Sequence, residues 1–295
     1  MVGQSATVEA VVDVVAETAT EIRQGLVGRR GAVDAENPSG ETQVEADVWA
    51  DGLLERRLSA IDGVGQYASE ERSEVVDCGG VTAEDDTVAV AVDPLDGSSN
   101  LRSNNAMGTV FGVYDVPLPG TADRPPRGTD LLAAGYVLYG PITTILVARD
   151  GPPVEYECTA SERTTIDEAV AIPDEPTVYG FGGRVPDWPA AFEAYAREVE
   201  TELKLRYGGA MIADVNQVLT HGGIFAYPGL TSRPEGKLRL LFEGHPIAHL
   251  VEAAGGRSSN GHRSLLDVGA ETLHQRTPVH VGTPGLIDRL EDALA

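Results

Sequence analysis

Residues 87–100 read Thr87-Val88-Ala89-Val90-Ala91-Val92-Asp93-Pro94-Leu95-Asp96-Gly97-Ser98-Ser99-Asn100, and this stretch decides how the chain is understood. Thr87–Val92 is a run of small and β-branched residues, the composition of a buried strand. Proline has no N–H to donate, so the ladder is expected to stop at Asp93-Pro94. The turn that follows brings Asp96 alongside Asp93. Their two carboxylates and the Leu95 carbonyl can then face one hard cation, and oxygen-only ligation suits magnesium or manganese. Gly97, Ser98 and Ser99 are small, carry free backbone N–H groups and stand at an expected helix start. That is a cradle for phosphate, with the helix dipole adding to the attraction. By themselves these residues also fit an Asp-Pro turn followed by a serine N-cap. The acids elsewhere in the chain decide between the two readings.

Upstream lies Ala68-Ser69-Glu70-Glu71, where a solvated Glu pair is the bland alternative. Downstream, an expected strand Lys237–Phe242 ends at Glu243, just before Gly244-His245-Pro246. A carboxylate there can be a metal ligand or a helix cap. Asp47 and Asp51 share one face of an expected helix over 47–58. His245 and His249, four apart, would make half a zinc site, but no third ligand follows, so they are read as helix residues. No nucleophile elbow, GxGxxG or Walker loop is present.

The remaining periodicities place an amphipathic helix over 6–25, strands around 108–116, Tyr136 and Ile145, and an exposed loop over 117–128. A helical segment over 189–205 and a mixed one over 210–227 follow. A helix over 246–254 stops at Gly255-Gly256, and a strand near Val279 and a helix near Leu286 complete the alternation. Interleaved strands and helices predict layered α and β elements. The Pro- and Glu-containing stretch from Ile172 to Pro176 is the expected boundary between a domain over 1–172 and one over 173–295.

The chain carries 46 acidic and 22 basic residues over 295 positions, a net charge of −24. Such a surface repels phosphate backbones, so nucleic acid is excluded as a partner class. Lys204 and Lys237 are the only lysines; arginine supplies every other basic residue. Abundant carboxylates with almost no lysine fit a protein that works in concentrated salt, where charge repulsion is screened over about 3 Å at roughly molar ionic strength. Cys78 and Cys158 lack metal-knuckle or redox spacing, which fits a reduced, cytoplasmic setting. The first residues lack the basic start and apolar run of a signal peptide, and Leu131–Ala148 is broken by Gly135, Gly140 and Pro141, so no membrane partner is expected.

With DPLDGSSN at 93–100, ASEE at 68–71 and GKLRLLFEGHPIAHLVEAAGG at 236–256, the chain resembles class I fructose-1,6-bisphosphatase, within the inositol-monophosphatase-like sugar phosphatases. AAGYVLYG, RYGGAMIADVNQVLTHGGIFAYPG and LDVGAETLHQRTPVHVG are similar to that family's segments in the same order. The resemblance implies a five-layer αβαβα sandwich, classed α/β (α+β), assembled as a homotetramer or homodimer. It implies Mg²⁺-dependent hydrolysis of a sugar bisphosphate as in gluconeogenesis, with two or three ions, or Mn²⁺ in their place. The rivals are sedoheptulose-1,7-bisphosphatase, an inositol-monophosphatase-type activity, and a metal-binding regulatory pseudo-enzyme.

Carried onto this sequence, the resemblance implies that Glu70, Asp93, Asp96, Glu243 and the Leu95 carbonyl hold metal. Glu71 would hold a further ion or the attacking water, Asp51 would help to take that water's proton, and Asp47 would pair with Arg239. Gly97, Ser98, Ser99 and Asn100 would bind the reacting phosphate. Tyr207, Tyr227 and Lys237 would grip the second phosphate and sugar, joined by Arg206 of a neighbouring subunit. The chain departs from the family at Tyr179–Arg184, where an Asn and a Tyr are usual and Arg184 is the expected substitute. At Thr87-Val88 it lacks the Lys-Tyr pair that contacts AMP in the family, so no AMP inhibition through that contact is expected.

Overall fold

The computed structural model describes residues 3–38, 40, 42–81, 86–122, 124–159 and 162–295. Helix α1 (Gln4–Gly25) leads to the ribbon β1 (Ala32–Glu36) and β2 (Thr42–Val44), then to α2 (Glu45–Leu58). Strands β3 (Val64–Ser69), β4 (Val76–Asp77), β5 (Val88–Asp96), β6 (Met107–Tyr114), β7 (Leu131–Tyr139), β8 (Thr143–Ala148), β9 (Val154–Cys158) and β10 (Arg163–Asp167) form one sheet in the order β10-β9-β8-β7-β6-β5-β3-β4. Among the described residues its one parallel pair is β3–β5.

The second half supplies β11 (Val178–Phe181), α3 (Ala190–Glu202), β12 (Lys204–Leu205), α4 (Met211–His221) and β13 (Gly223–Tyr227). After β14 (Leu238–Arg239) come α5 (His245–Ala253), β15 (Arg257–Ser259), β16 (Arg276–Thr277), β17 (Val279–Gly282) and α6 (Pro284–Leu294). Its sheet runs β12-β11-β13-β17-β15, and β14 pairs with β16 beside it.

Five layers follow from side-chain alternation, since successive residues of a strand point to opposite faces. Val88, Val90 and Val92 of β5 pack with Val11, Val12, Val15 and Ile22 of α1 and Leu54 of α2. Ala89 and Ala91 face the other way, into a core with Ile212 and Val215 of α4 and Leu250 and Val251 of α5. Phe225 and Val281 close that core from the second sheet. The opposite face of the second sheet, with Ile224 and Ala226, packs on Phe192 and Val199 of α3 and Leu286 and Leu290 of α6. The architecture is the αβαβα sandwich, and every helix stripe has a sheet to cover it. No helix among the described residues is long and apolar enough to cross a membrane.

Three local expectations are corrected. First, β5 does not stop at Pro94. It pairs Asp93 with Val110, then resumes at Asp96 with Gly108, so three steps on β5 match two on β6. This is a β-bulge, the setting in which a sheet tolerates a residue without an N–H. Second, the strand expected over Lys237–Phe242 shrinks to Leu238–Arg239; Leu240–Gly244 forms a wide helical turn that runs into α5. Leu240, Leu241 and Phe242 are buried on every side, and a short apolar run carries no periodicity to separate strand from buried helix. Third, the helix start at Ser98 is only a single turn of 3-10 helix, Ser98–Leu101.

Candidate active site

The bulge in β5 is what assembles the acids. In a regular strand, residues three apart point to opposite faces, so Asp93 and Asp96 would separate. The extra residue returns both to one side, where they line a common cavity of about 270 Å³. Asp93 Oδ1 accepts from the Leu95 N–H at 3.0 Å, and Asp96 Oδ2 accepts from the Ile212 N–H at 2.9 Å, at the first turn of α4. Because β3 lies parallel to β5, the C-terminal ends of both strands meet; the Glu70 N–H donates to the Val92 carbonyl at 3.0 Å. Glu243 arrives on the wide helical turn and accepts from the Arg239 N–H at 2.5 Å. Such i→i+5 turns aim side chains that an α-helix would point elsewhere.

Asp93, Asp96 and Glu243 each offer a carboxylate oxygen within 4.8 Å of the others. All are buried, as is Glu70, whose Oε1 takes a 2.7 Å bond from Arg239. Burial pushes the Asp96 carboxyl up to about 7 and Glu243 up to about 8, with Glu70 adding repulsion to both. Burial, then Glu70, Asp96 and Glu243, lift Asp93 well above the carboxylate range. Glu71, raised to about 8 by burial and by Glu70 and Asp47, accepts from Gln43 Nε2 at 2.5 Å. Clustered, dehydrated carboxylates repel one another unless protonated or neutralised. The donors are all hard oxygens, so the residues present fit a hard divalent cation.

Gly97, Ser98 and Ser99 border the same cavity. Gly97 has φ +75°, and a Cβ there would stand 2.2 Å from that of Ala210, so both conformation and space demand glycine. Facing the cradle are Tyr207, Tyr227 and Lys237; the Lys237 Nζ lies 5.9 Å from the Tyr227 ring centre. Gly182 makes room for that ring, since a Cβ there would meet Tyr227 at 2.1 Å.

Thirteen of the residues expected from the sequence border this cavity: Asp47, Glu70, Glu71, Asp93, Leu95, Asp96, Gly97, Ser98, Ser99, Tyr207, Tyr227, Lys237 and Glu243. Asp47 also caps α2, accepting from the Val44 N–H at 2.9 Å. Asp51 points away, bound by Tyr67 Oη at 3.0 Å and Arg72 Nε at 2.8 Å. Asn100 spends its amide on the Ala106 and Gly208 carbonyls, both at 2.9 Å, and stays outside the cavity wall. Arg206 is exposed and also off the wall. Arg184 pairs with Asp187 at 2.8 Å on the surface and is not part of the cavity wall. Sequence reasoning missed Asn37, Gln43 and Asp214, all of which line the cavity. Asp214 sat in view inside RYGGAMIADVNQVL, four residues after Ala210, but a helix-borne acid has no signature that separates it from solvated ones.

A family profile described as the N-terminal domain of fructose-1-6-bisphosphatase matches residues 6–157, and one described as the C-terminal domain matches 172–295. Proteins named fructose-1,6-bisphosphatase class 1 from Natronomonas pharaonis and Halobacterium salinarum are 59% and 56% identical. The matches cover 97% of this chain and 98% and 97% of theirs. The structure of Leishmania major fructose-1,6-bisphosphatase in holo form superposes with a TM-score of 0.89 at 28% identity, covering 98% of this chain and 94% of that one. Its T-state form gives 0.84 at 26%, covering 98% and 93%.

Proposed function

This chain belongs to the fructose-1,6-bisphosphatase family, and from that membership we propose that it hydrolyses fructose 1,6-bisphosphate to fructose 6-phosphate and inorganic phosphate. The observation that carries the reading is the convergence of Asp93, Asp96, Glu243 and Glu70 beside the Gly97–Ser99 turn, with Lys237, Tyr207 and Tyr227 across the same cavity. A single substrate with phosphates at both ends spans those two halves.

Asp93, Asp96, Glu243, Glu70 and the Leu95 carbonyl are the groups that would hold magnesium. Bound there, the ions supply Lewis acidity, lowering the pKa of a water and neutralising phosphate oxygens. The chain's own groups do the positioning that phosphoryl transfer chiefly requires. Gly97–Ser99 N–H groups hold the reacting phosphate. Glu71 would accept the proton of the attacking water, which displaces the sugar alkoxide in line and leaves no covalent enzyme intermediate. Lys237, a compact cation in a chain that otherwise prefers arginine, anchors the second phosphate as a point charge. Arg206, beside Tyr207 and exposed, is the group an adjoining subunit would contribute in a homodimer or homotetramer.

The test is a phosphate-release panel in concentrated potassium chloride, with and without magnesium. Fructose 1,6-bisphosphate should be the preferred ester over inositol monophosphate and a 3′-phosphonucleotide, and turnover should vanish with a chelator. Equal turnover across the panel would contradict the reading.

A further inference from the structure

The two halves of the cavity are tied together at Gly208. Its carbonyl accepts from Asn100 Nδ2 at 2.9 Å and Asn105 Nδ2 at 3.0 Å. Its N–H donates to Asp214 Oδ1 at 2.5 Å, and the next N–H, of Gly209, donates to Asp214 Oδ2 at 3.3 Å. Asn100 and Asn105 belong to the segment that continues the phosphate cradle, and both also grip Ala106, through its carbonyl and its N–H respectively. Asp214 belongs to α4, whose first turn donates to Asp96. Gly208 directly follows Tyr207, so one peptide unit connects the cradle, the α4 helix and the tyrosine of the far side.

The arrangement costs free energy that ordinary loop packing does not require. Asp214 is a buried carboxylate that accepts from these two backbone N–H groups, and burial raises it to about 6 against their pull. A buried charge is retained only where its bonds are worth more than its lost hydration. Here those bonds immobilise a two-glycine joint, Gly208-Gly209, whose backbone is otherwise free to adopt many conformations.

We propose that Asn100, Asn105 and Asp214 form a positioning clamp on Gly208 that fixes the span between the Gly97–Ser99 cradle and Tyr207, and thereby selects esters carrying two phosphates over those carrying one. The proposal rests on the bisphosphate reading above. A substrate gripped at both ends gains from a preset span, because no binding energy is lost to ordering the joint, and misplacement of about 1 Å can cost about a hundredfold. A monophosphate uses the cradle alone and is indifferent to that span.

The experiment compares fructose 1,6-bisphosphate with p-nitrophenyl phosphate, in magnesium and concentrated salt, for the wild type, Asn105→Ala and Asp214→Asn. Asn105 is exposed and off the cavity wall, so its truncation leaves the fold intact. Asn105→Ala should raise KM for the bisphosphate by about tenfold with kcat nearly constant, while kcat/KM for p-nitrophenyl phosphate stays within about twofold. Asp214→Asn should move the bisphosphate KM further in the same direction and discriminate between the two esters in the same sense. Equal losses on both esters, or an unmoved bisphosphate KM in Asn105→Ala, overturn the clamp and leave the functional reading standing. A wild type that shows no preference for the bisphosphate overturns both. If Asp214→Asn fails to fold, as a thermal melt would reveal, the Asn105→Ala ratio alone decides.

Discussion

The two halves of the cavity are built on opposite principles. The acid half is made of buried groups at fixed points of regular elements: a bulge in β5, the end of β3, a wide helical turn before α5 and the first turn of α4. The facing half is made of Tyr207, which is 47% exposed, the Lys237 amine above Tyr227, and glycines that clear space. A site for a small cation must be rigid to within tenths of an ångström, so it sits where backbone hydrogen bonds leave no slack. A site for a flexible phosphosugar can rest on side chains at the surface, finished by the substrate or an adjoining subunit.

That contrast predicts a graded set of losses. Asp93→Asn or Asp96→Asn should lower kcat by about three orders of magnitude or more in steady-state assays, because each removes a ligand charge from the rigid half. Lys237→Ala should chiefly raise KM, by about ten- to a hundredfold, with a much smaller change in kcat, since on the proposed reading it would bind the far phosphate in ground and transition state alike. Lys237→Arg, keeping charge but not shape, should recover part of the loss. If Lys237→Ala instead lowers kcat as Asp93→Asn does, the division between the halves is wrong.

A stability experiment sharpens the same contrast. Glu71 and Glu243, pushed up to about 8, and Asp96, up to about 7, hold protons in the folded protein that the unfolded chain releases near the ordinary carboxylate range. The folded state therefore binds more protons across that window, and the metal-free protein should lose stability as pH rises from about 5 to 8. Magnesium should remove most of that loss by replacing the protons. Thermal melts with chelator and with magnesium at both pH values check this. The smallest effect belongs to Asp51→Asn. Asp51 is bonded to Tyr67 and Arg72 rather than to the cavity, so kcat should change by less than about tenfold while stability falls by about 1–3 kcal/mol. A kcat loss matching that of Asp93→Asn would restore Asp51 to the reaction.

Much of this was legible in the sequence. Val88–Val92 announces its strand, Val8 to Ile22 its helix, and Asp-Pro-Leu-Asp-Gly-Ser-Ser its turn, because each is a local pattern. Resemblance supplied what spacing could not, namely that Glu70 and Glu243, distant from Asp93 in the chain, belong with it. What stayed hidden was local geometry with no compositional mark. The bulge at Pro94 and the wide turn at Leu240–Gly244 depend on tertiary pairing with β6 and on burial from all sides. The roles of Asn100 and Asp214 depend on where Gly208 lies, a contact across 108 residues for Asn100 that only the folded chain creates.

On the proposed reading, Asp93, Asp96, Glu243 and Glu70 together take up a divalent cation. Calorimetric titration of Mn²⁺ or Mg²⁺ into chelator-treated protein near pH 7 tests it without reference to turnover. Wild type should bind saturably and release protons from the raised carboxyls, and Asp93→Asn and Glu243→Gln should each lose most of the affinity and of the proton release. Unchanged binding in either folded variant would place the cation elsewhere and contradict the account.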